Sequence, residues 1–512
     1  MNELAFFRVK ANDLRGVLLT VGLGLSAASA ACHDARSKAD TPKAAAGGAI
    51  LNGEPRQGAK AGAGGDALAS GAGAGAASEP AISAELPQGI QRVATEQVPA
   101  SSSSAAVKAN NEFGTALFAA LREDAAGRNF LISPISASFA LGMTYAGARG
   151  QTRTEVARAL HLGALSGEQL LQGQNALSQT LGQRGRFAFE QAQANSFGSQ
   201  PPPAASDYSL EIVNSLWGQA SYPWEGSFLK TLAENYGAAL FKRDFVRKPQ
   251  PTRLEINRWV SAHTKDKIND LLPEPAITQD TRLVLVNALH LKLPWETEFK
   301  QSATEPGPFR CSNLKDVPME VTVPFMHRQA RFAYRDDGSA QIVGLPLSSK
   351  RLWVIVVLPH VGVSLSAYER SLRADAPALA VPPKEELVAL ALPKVTFTSP
   401  SFSLAHALAR LGMVQAFDSK LANFEGMCKV QPGEVPLYVG DVVQKTMIAM
   451  QETGIEAAAA TAVVMMAGSA RLPEKQPVPI PMIVNRPYLL AIVDQPTGAL
   501  LMLGHIEQPK SE

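Results

Sequence analysis

Apolar positions along this chain change period several times, and each change predicts an element. Phe113, Leu117 and Leu121 recur at helical spacing and predict an amphipathic helix in a folded region that begins near Val107. Ser133-Pro134 opens a second helix. Serine caps orphan amide groups there, and proline at the first helical position gives up an N–H that has no partner anyway. Ile135, Phe139 and Met143 then share one face. Thr152-Arg153-Thr154-Glu155 reads as a capping box for a third helix toward Leu160. Thr252 to Glu255 repeats that device ahead of a buried stripe of Ile256, Trp259, Val260 and His263.

Elsewhere the pattern shortens to strands. Arg282 to Leu293 is apolar on both faces until His290, as in a strand inside a sheet covered on both sides. Leu352 to Leu358 is a continuous apolar run, and Leu387 to Phe397 follows it. Leu489 to Val493 and Ala499 to Leu503 flank the turn Asp494-Gln495-Pro496-Thr497-Gly498 and predict paired strands. Helices cluster early and strands late, so the fold class is α+β rather than alternating βα units.

Composition adds bounds. The chain has 512 residues, 46% hydrophobic and 18% charged, with a formal net charge of +2. That supports a substantial core and gives no basic footprint for a nucleic acid. Cys311 and Cys428 are left free or paired, and the scattered His161, His263, His290, His327, His360, His406 and His505 offer no zinc spacing. Neither a metal nor any other cofactor is expected. Residues 1–31 read as an export signal: Arg8, Lys10 and Arg15, an apolar Val17–Leu25, then Ala28-Ser29-Ala30. Cys32 follows a lipoprotein-like box, so a lipid anchor on Cys32 and free secretion both stay open; either way the location is extracellular or at the cell-envelope surface. Residues 32–104 are rich in Ala, Gly, Ser and Pro and read as a disordered tether. Enzyme signatures are missing: no GxSxG elbow, HExxH, P-loop or dinucleotide-binding glycine fingerprint.

The segment Glu452-Thr453-Gly454-Ile455-Glu456-Ala457-Ala458-Ala459-Ala460-Thr461 is unusual for a globular interior. It follows the strand-like Met447–Met450 and precedes a proline-rich stretch from Pro473 to Pro481. It resembles the hinge and reactive loop of a serpin. The resemblance extends over about Asn110 to Pro509, through Asn129–Ser136, Gly147–Thr152, Ile256–Val260, Leu285–Trp295, Leu392-Pro393-Lys394, Leu411-Gly412-Met413, Asn485–Tyr488 and Gly498–Gly504. Each motif alone is weak; their order and spacing are specific. The resemblance implies a serpin-like fold over 105–512, with N-terminal helices on a large mixed sheet, further sheets and an exposed reactive loop at about 452–480.

It also implies a mechanism. A serine-type peptidase cuts the loop and is acylated. The cut loop then inserts as a new strand in the main sheet and traps the enzyme as a covalent complex, with the inhibitor acting as a monomer. The chain would not itself be an enzyme. The alternative is a non-inhibitory serpin, a carrier, chaperone or surface structural protein; the small, uncharged run Ala457–Thr461 argues against it. Strand alternation puts Ile455, Ala457, Ala459 and Thr461 on one face and Glu456 on the other. Two departures from the family pattern stand out. Ile455 replaces the usual Thr or Ser and is expected to slow insertion. The sheet-opening cluster matches Ser133, Ser136 and Asn214, but its usual His is Gln444, which bridges without a titratable proton. Trp295 matches the family's Trp at the top of the sheet. Counting the family span from Gly454 puts the reactive bond at Gly468-Ser469, with Met466-Ala467 and Arg471-Leu472 as rivals.

Overall fold

The computed structural model describes residues 90–196, 202–238, 240–311, 319–431, 433–456 and 477–509. Helices come first: α1 (Ala100–Leu121), after which a short β1 (Phe130–Ile132) leads into α2 (Pro134–Gly147), α3 (Gly150–Ala159), α4 (Gly167–Gly182) and α5 (Arg184–Ala194). Then come β2 (Ser209–Gln219), α6 (Gly226–Tyr236), β3 (Leu240–Arg243), α7 (Pro249–His263) and β4 (Leu283–Pro294). Strands dominate beyond: β5 (Thr304–Cys311), β6 (Met319–Asp336), β7 (Ala340–Pro346) and β8 (Leu352–Pro359), then α8 (Leu365–Ser371). β9 (Glu385–Pro393), β10 (Val395–Thr398), β11 (Phe402–Ser403), α9 (Ala405–Arg410), β12 (Asp441–Gln444), β13 (Met447–Gln451) and β14 (Gly454–Ile455) follow. β15 (Ile480–Ile483), β16 (Tyr488–Asp494) and β17 (Ala499–Ile506) close the chain.

These strands form two sheets. The main sheet runs β10-β13-β14-β4-β12-β11, with β2 on the far side of β4 and β3 outside it. The other runs β1-β17-β16-β8-β7-β6-β9-β15, with β5 on β6. β4 explains why the main sheet needs cover on both faces. Leu289, Leu291 and Leu293 join the core shared with Leu490 and Leu501 of the other sheet. Val284, Val286 and Ala288 face the opposite way, into a second core under Ile256 and Val260 of α7. α2 is buried all round from Pro134 to Tyr145, as a helix enclosed on every side must be.

Several local expectations need correction. α1 begins at Ala100, inside the stretch assigned to the tether, and the Arg92 guanidinium donates to Asn175 Oδ1 (2.8 Å) and Ser178 Oγ (2.9 Å). Small side chains order this stretch by close approach: a Cβ on Gly173 of α4 would stand 2.3 Å from Ser102 O. Neither proposed capping box caps a helix. Thr152 Oγ1 accepts from Asn423 N (3.0 Å), and Glu155 accepts from Val414 N and Gln415 N (2.9 and 2.7 Å). Glu255 is taken by Arg243 (2.6 Å). The capping box among these helices is Ser166 with Gln169, at α4. Leu387–Phe397 is two strands in two sheets, parted at Lys394. In the α7 stripe, Ile256 and Val260 are buried and His263 is exposed.

Candidate functional site

The region of interest lies where β14 enters the main sheet. Gly454 pairs with Gln451 of β13 and Pro294 of β4; Ile455 pairs with Met450 and Leu293. The chain at Gly454 passes so near β4 that a Cβ there would stand 2.4 Å from Leu293 O and 2.5 Å from Pro294 Cα, which demands glycine. Ile455 is 2% exposed and sits in the inter-sheet core. It is therefore already paired in the sheet of the uncut chain. Glu456, just past the end of β14, points to the opposite face, toward His290.

Above this point the chain is fastened by Trp295, Phe299, Lys394 and Thr304. Trp295, buried at the end of β4, donates its indole N–H to Gln451 O (2.8 Å) and its amide to Thr453 O (3.0 Å). Phe299 N donates to Glu452 O (2.9 Å). The Glu452 carboxylate accepts from Lys394 Nζ (2.9 Å) and Thr304 Oγ1 (2.8 Å). Burial pushes that carboxyl up, but the bonds from Lys394 and Thr304 and the lysine charge outweigh it and hold it below its ordinary value.

Lower in the sheet the predicted opening cluster is brought together. Gln444 Oε1 accepts from Ser133 N (3.0 Å), while its Nε2 donates to Ser133 O (3.1 Å) and to Asn287 Oδ1 (2.8 Å). Ser133 both caps α2, accepting from Ser136 N (3.4 Å), and donates its hydroxyl to Leu501 O (3.1 Å). Ser136 Oγ lies 3.4 Å from Ala288 O. Asn214, with its amide nitrogen turned toward Ser136 O (3.2 Å) and Val213 O (3.3 Å), completes the group. The residues that sequence reasoning missed are Asn287, Thr446, His290 and Lys267. Thr446 Oγ1 donates to Leu131 O (2.8 Å) and its amide to Ser399 Oγ (2.9 Å). The break of apolar pattern at His290 was the one available signal for its role.

The hinge residues Ala457, Ala458, Ala459, Ala460 and Thr461, the reactive-bond candidates Met466, Gly468, Ser469 and Arg471, and Cys32 lie outside the described residues. Cys311 and Cys428 are buried and free, and burial pushes the Cys428 thiol up to about 12. Among the described residues no helix is long and apolar enough to cross a membrane.

Comparison with known proteins fits this arrangement. The model of the family described as serpin (serine protease inhibitor) matches residues 108–509. A leukocyte elastase inhibitor of Equus caballus is 31% identical over 410 residues, covering 78% of this chain and 98% of that protein. Serpin B6 of Bos taurus is 33% identical over 409 residues, 78% of this chain and 99% of the relative. An uncharacterized serpin-like protein of Thermococcus kodakarensis is 32% identical over 405 residues, with 79% and 86% covered. Among solved structures, the thermophilic serpin tengpin in its native state superposes with a TM-score of 0.66 at 25% identity, over 78% of this chain and 94% of that one. Human glycosylated kallistatin does so with 0.65 at 25%, over 80% and 100%.

Proposed function

The chain belongs to the serpin family, and from that premise we propose that it is a suicide-substrate inhibitor of serine-type peptidases. The single observation that carries the reading is the seating of Gly454-Ile455 between β13 and β4. That pairing supplies a register for the rest of the loop. Each step along the loop is one step back along both neighbours. Thr461, six residues beyond Ile455, falls opposite Asn287, six before Leu293, and opposite Gln444, six before Met450. Asn287 and Gln444 are bonded to one another in the closed sheet. Insertion therefore separates that pair and puts Thr461 in its place. Ala457 and Ala459 fall opposite Leu291 and Leu289, on the core face, where small uncharged side chains pass easily.

The acyl-enzyme forms at the reactive bond, taken as Gly468-Ser469, and insertion competes with its hydrolysis. A small residue before the bond suits a peptidase with a shallow pocket. The chain acts as a monomer outside the cell or on its envelope, released after residue 31 or held by a lipid on Cys32; the mass of the mature N-terminus separates these two. A peptidase panel run on denaturing gels tests the inhibitory reading. A complex that survives denaturant supports it, and cleavage by every peptidase without one sinks it. A released fragment beginning at Ser469 supports the bond; one beginning at Leu472 moves it to Arg471.

A further inference from the structure

Glu456 is where the root of the loop stops being a strand. Its φ is +48°, a left-handed turn uncommon for glutamate, and its amide still donates to Ala449 O (2.6 Å). Its carboxylate is not left in water. Oε2 lies 2.8 Å from His290 Nε2 on β4, and Oε1 lies 2.7 Å from Lys267 Nζ, beyond α7. The side chains of Glu456 and His290 are only 7% and 2% exposed, and that of Lys267 is 44% exposed. On its other side the His290 ring is close to β2, with Nδ1 3.4 Å from Ser209 Oγ. Burial pushes the Glu456 carboxyl up, but the bonds and charges of His290 and Lys267 outweigh it and hold it below its ordinary value.

We propose that Glu456, with His290 and Lys267, is a positioning latch that holds Gly454-Ile455 in the sheet before any cut, and so supplies the first row of the strand that insertion builds. The proposal rests on the inhibitory reading for its consequence, not for its geometry. The carboxylate meets His290 and Lys267 only while the hinge is seated; a hinge lifted from the sheet returns it to water and leaves His290 buried without its partner. Ile455 grips the other face, in the core. The hinge is thus held from both sides of the sheet by adjacent residues. After a cut, insertion extends a row that already exists instead of starting one, at the moment when it must outrun hydrolysis of the acyl-enzyme. On this account Ile455 is a seat and not an obstacle.

The test is amide hydrogen exchange over residues 454–456 in the uncut full-length protein, with Glu456→Ala, Glu456→Gln and Lys267→Ala. Glu456→Ala is expected to speed hinge exchange by about tenfold or more, the effect of losing a largely buried charged contact. Glu456→Gln, which keeps the shape of the side chain but not its charge, and Lys267→Ala, at a half-exposed position, should fall between it and the wild type, while amides of β16 and β17 keep their protection. Molar inhibitor consumed per peptidase trapped should rise in the same order. Hinge exchange unchanged in Glu456→Ala overturns the latch. Slower exchange also overturns it, because the carboxylate would then block advance of the loop instead of holding its root. Cleaved wild-type protein with an unchanged melting midpoint, alongside faster hinge exchange in Glu456→Ala, would sink the inhibitory reading and leave the latch standing.

Discussion

At the hinge end of the main sheet β13 and β4 stand apart with Gly454 and Ile455 between them. Farther down, β12 and β4 pair directly, Asp441 with Val284 through Gln444 with Asn287. The two halves also differ in what fills them. The upper rows are apolar, with Leu291, Leu293, Met450 and Ile455 in one core. The junction below them is polar, with Gln444 bonded to Ser133 on one side and Asn287 on the other. Apolar contact tolerates the exchange of one small side chain for another, whereas a buried polar pair must be replaced by partners of matching chemistry. The sheet is thus easy to extend at the hinge and selective at Gln444, which is where an inserted Thr461 would arrive with a hydroxyl.

The strongest way to break this comparison is to send a charge to that junction. Thr461→Arg is expected to abolish the denaturant-stable complex while leaving cleavage fast, because an unpaired guanidinium cannot be buried between Asn287 and Gln444. Undiminished complex on a gel would show that the register is wrong. Next in size is the cut itself. Cleavage of the wild-type loop should raise the melting midpoint by on the order of 10 °C, as the lower half acquires the strand that the upper half has begun; calorimetry before and after a limited cut reads it directly.

Two smaller effects sharpen the contrast. Gln444→Leu takes from the Ser133 amide and from Asn287 Oδ1 the bonds they make to Gln444, while Ser133 O keeps Ala137 N and Asn287 Nδ2 keeps Val443 O, and should lower native stability by about 1–3 kcal/mol in urea titration. Ile455→Thr should destabilise by about 1–2 kcal/mol and lower the trapped fraction. A family comparison alone points the other way, so a raised fraction would restore the obstacle view of Ile455.

The smallest change to the comparison comes from a region that should not take part. His505 on β17 meets Glu369 of α8 at 2.6 Å, both fully buried. Burial alone would lower the imidazole, but the bond and charge of Glu369 outweigh it and raise it above its ordinary value. A raised histidine contributes stability that is complete below the unfolded value of about 6.5 and is lost as pH climbs through the folded one. His505→Gln should therefore cost about 3–5 kcal/mol at pH 5.5 and less as the pH rises. It should shift intact and cut forms alike and leave the gap between them unchanged.

What could be read from the residues was what is local. Ser133-Pro134 announces its helix because cap and first turn are neighbours in the chain, and β4 shows its two covered faces in its own alternation. The failures share one cause. Thr152, Glu155 and Glu255 have the right spacing for caps but are drawn off by Asn423, Gln415 and Arg243. The latch joins residues 267, 290 and 456, and no pattern over such distances marks them as partners. The opening cluster was legible only through resemblance to a family, which named Ser133, Ser136, Asn214 and Gln444 without Asn287.

The direct pairing of β12 with β4 is parallel, whereas β14 pairs with both its neighbours antiparallel. On the proposed reading, a strand that continues β14 replaces this one parallel seam by two antiparallel ones. The closed sheet is then like a zip fastened across a missing row: its teeth meet, but in the less favoured sense and with half the contacts the gap could hold. On that reading, the pairs that insertion exchanges are the four that join Asp441–Gln444 to Val284–Asn287.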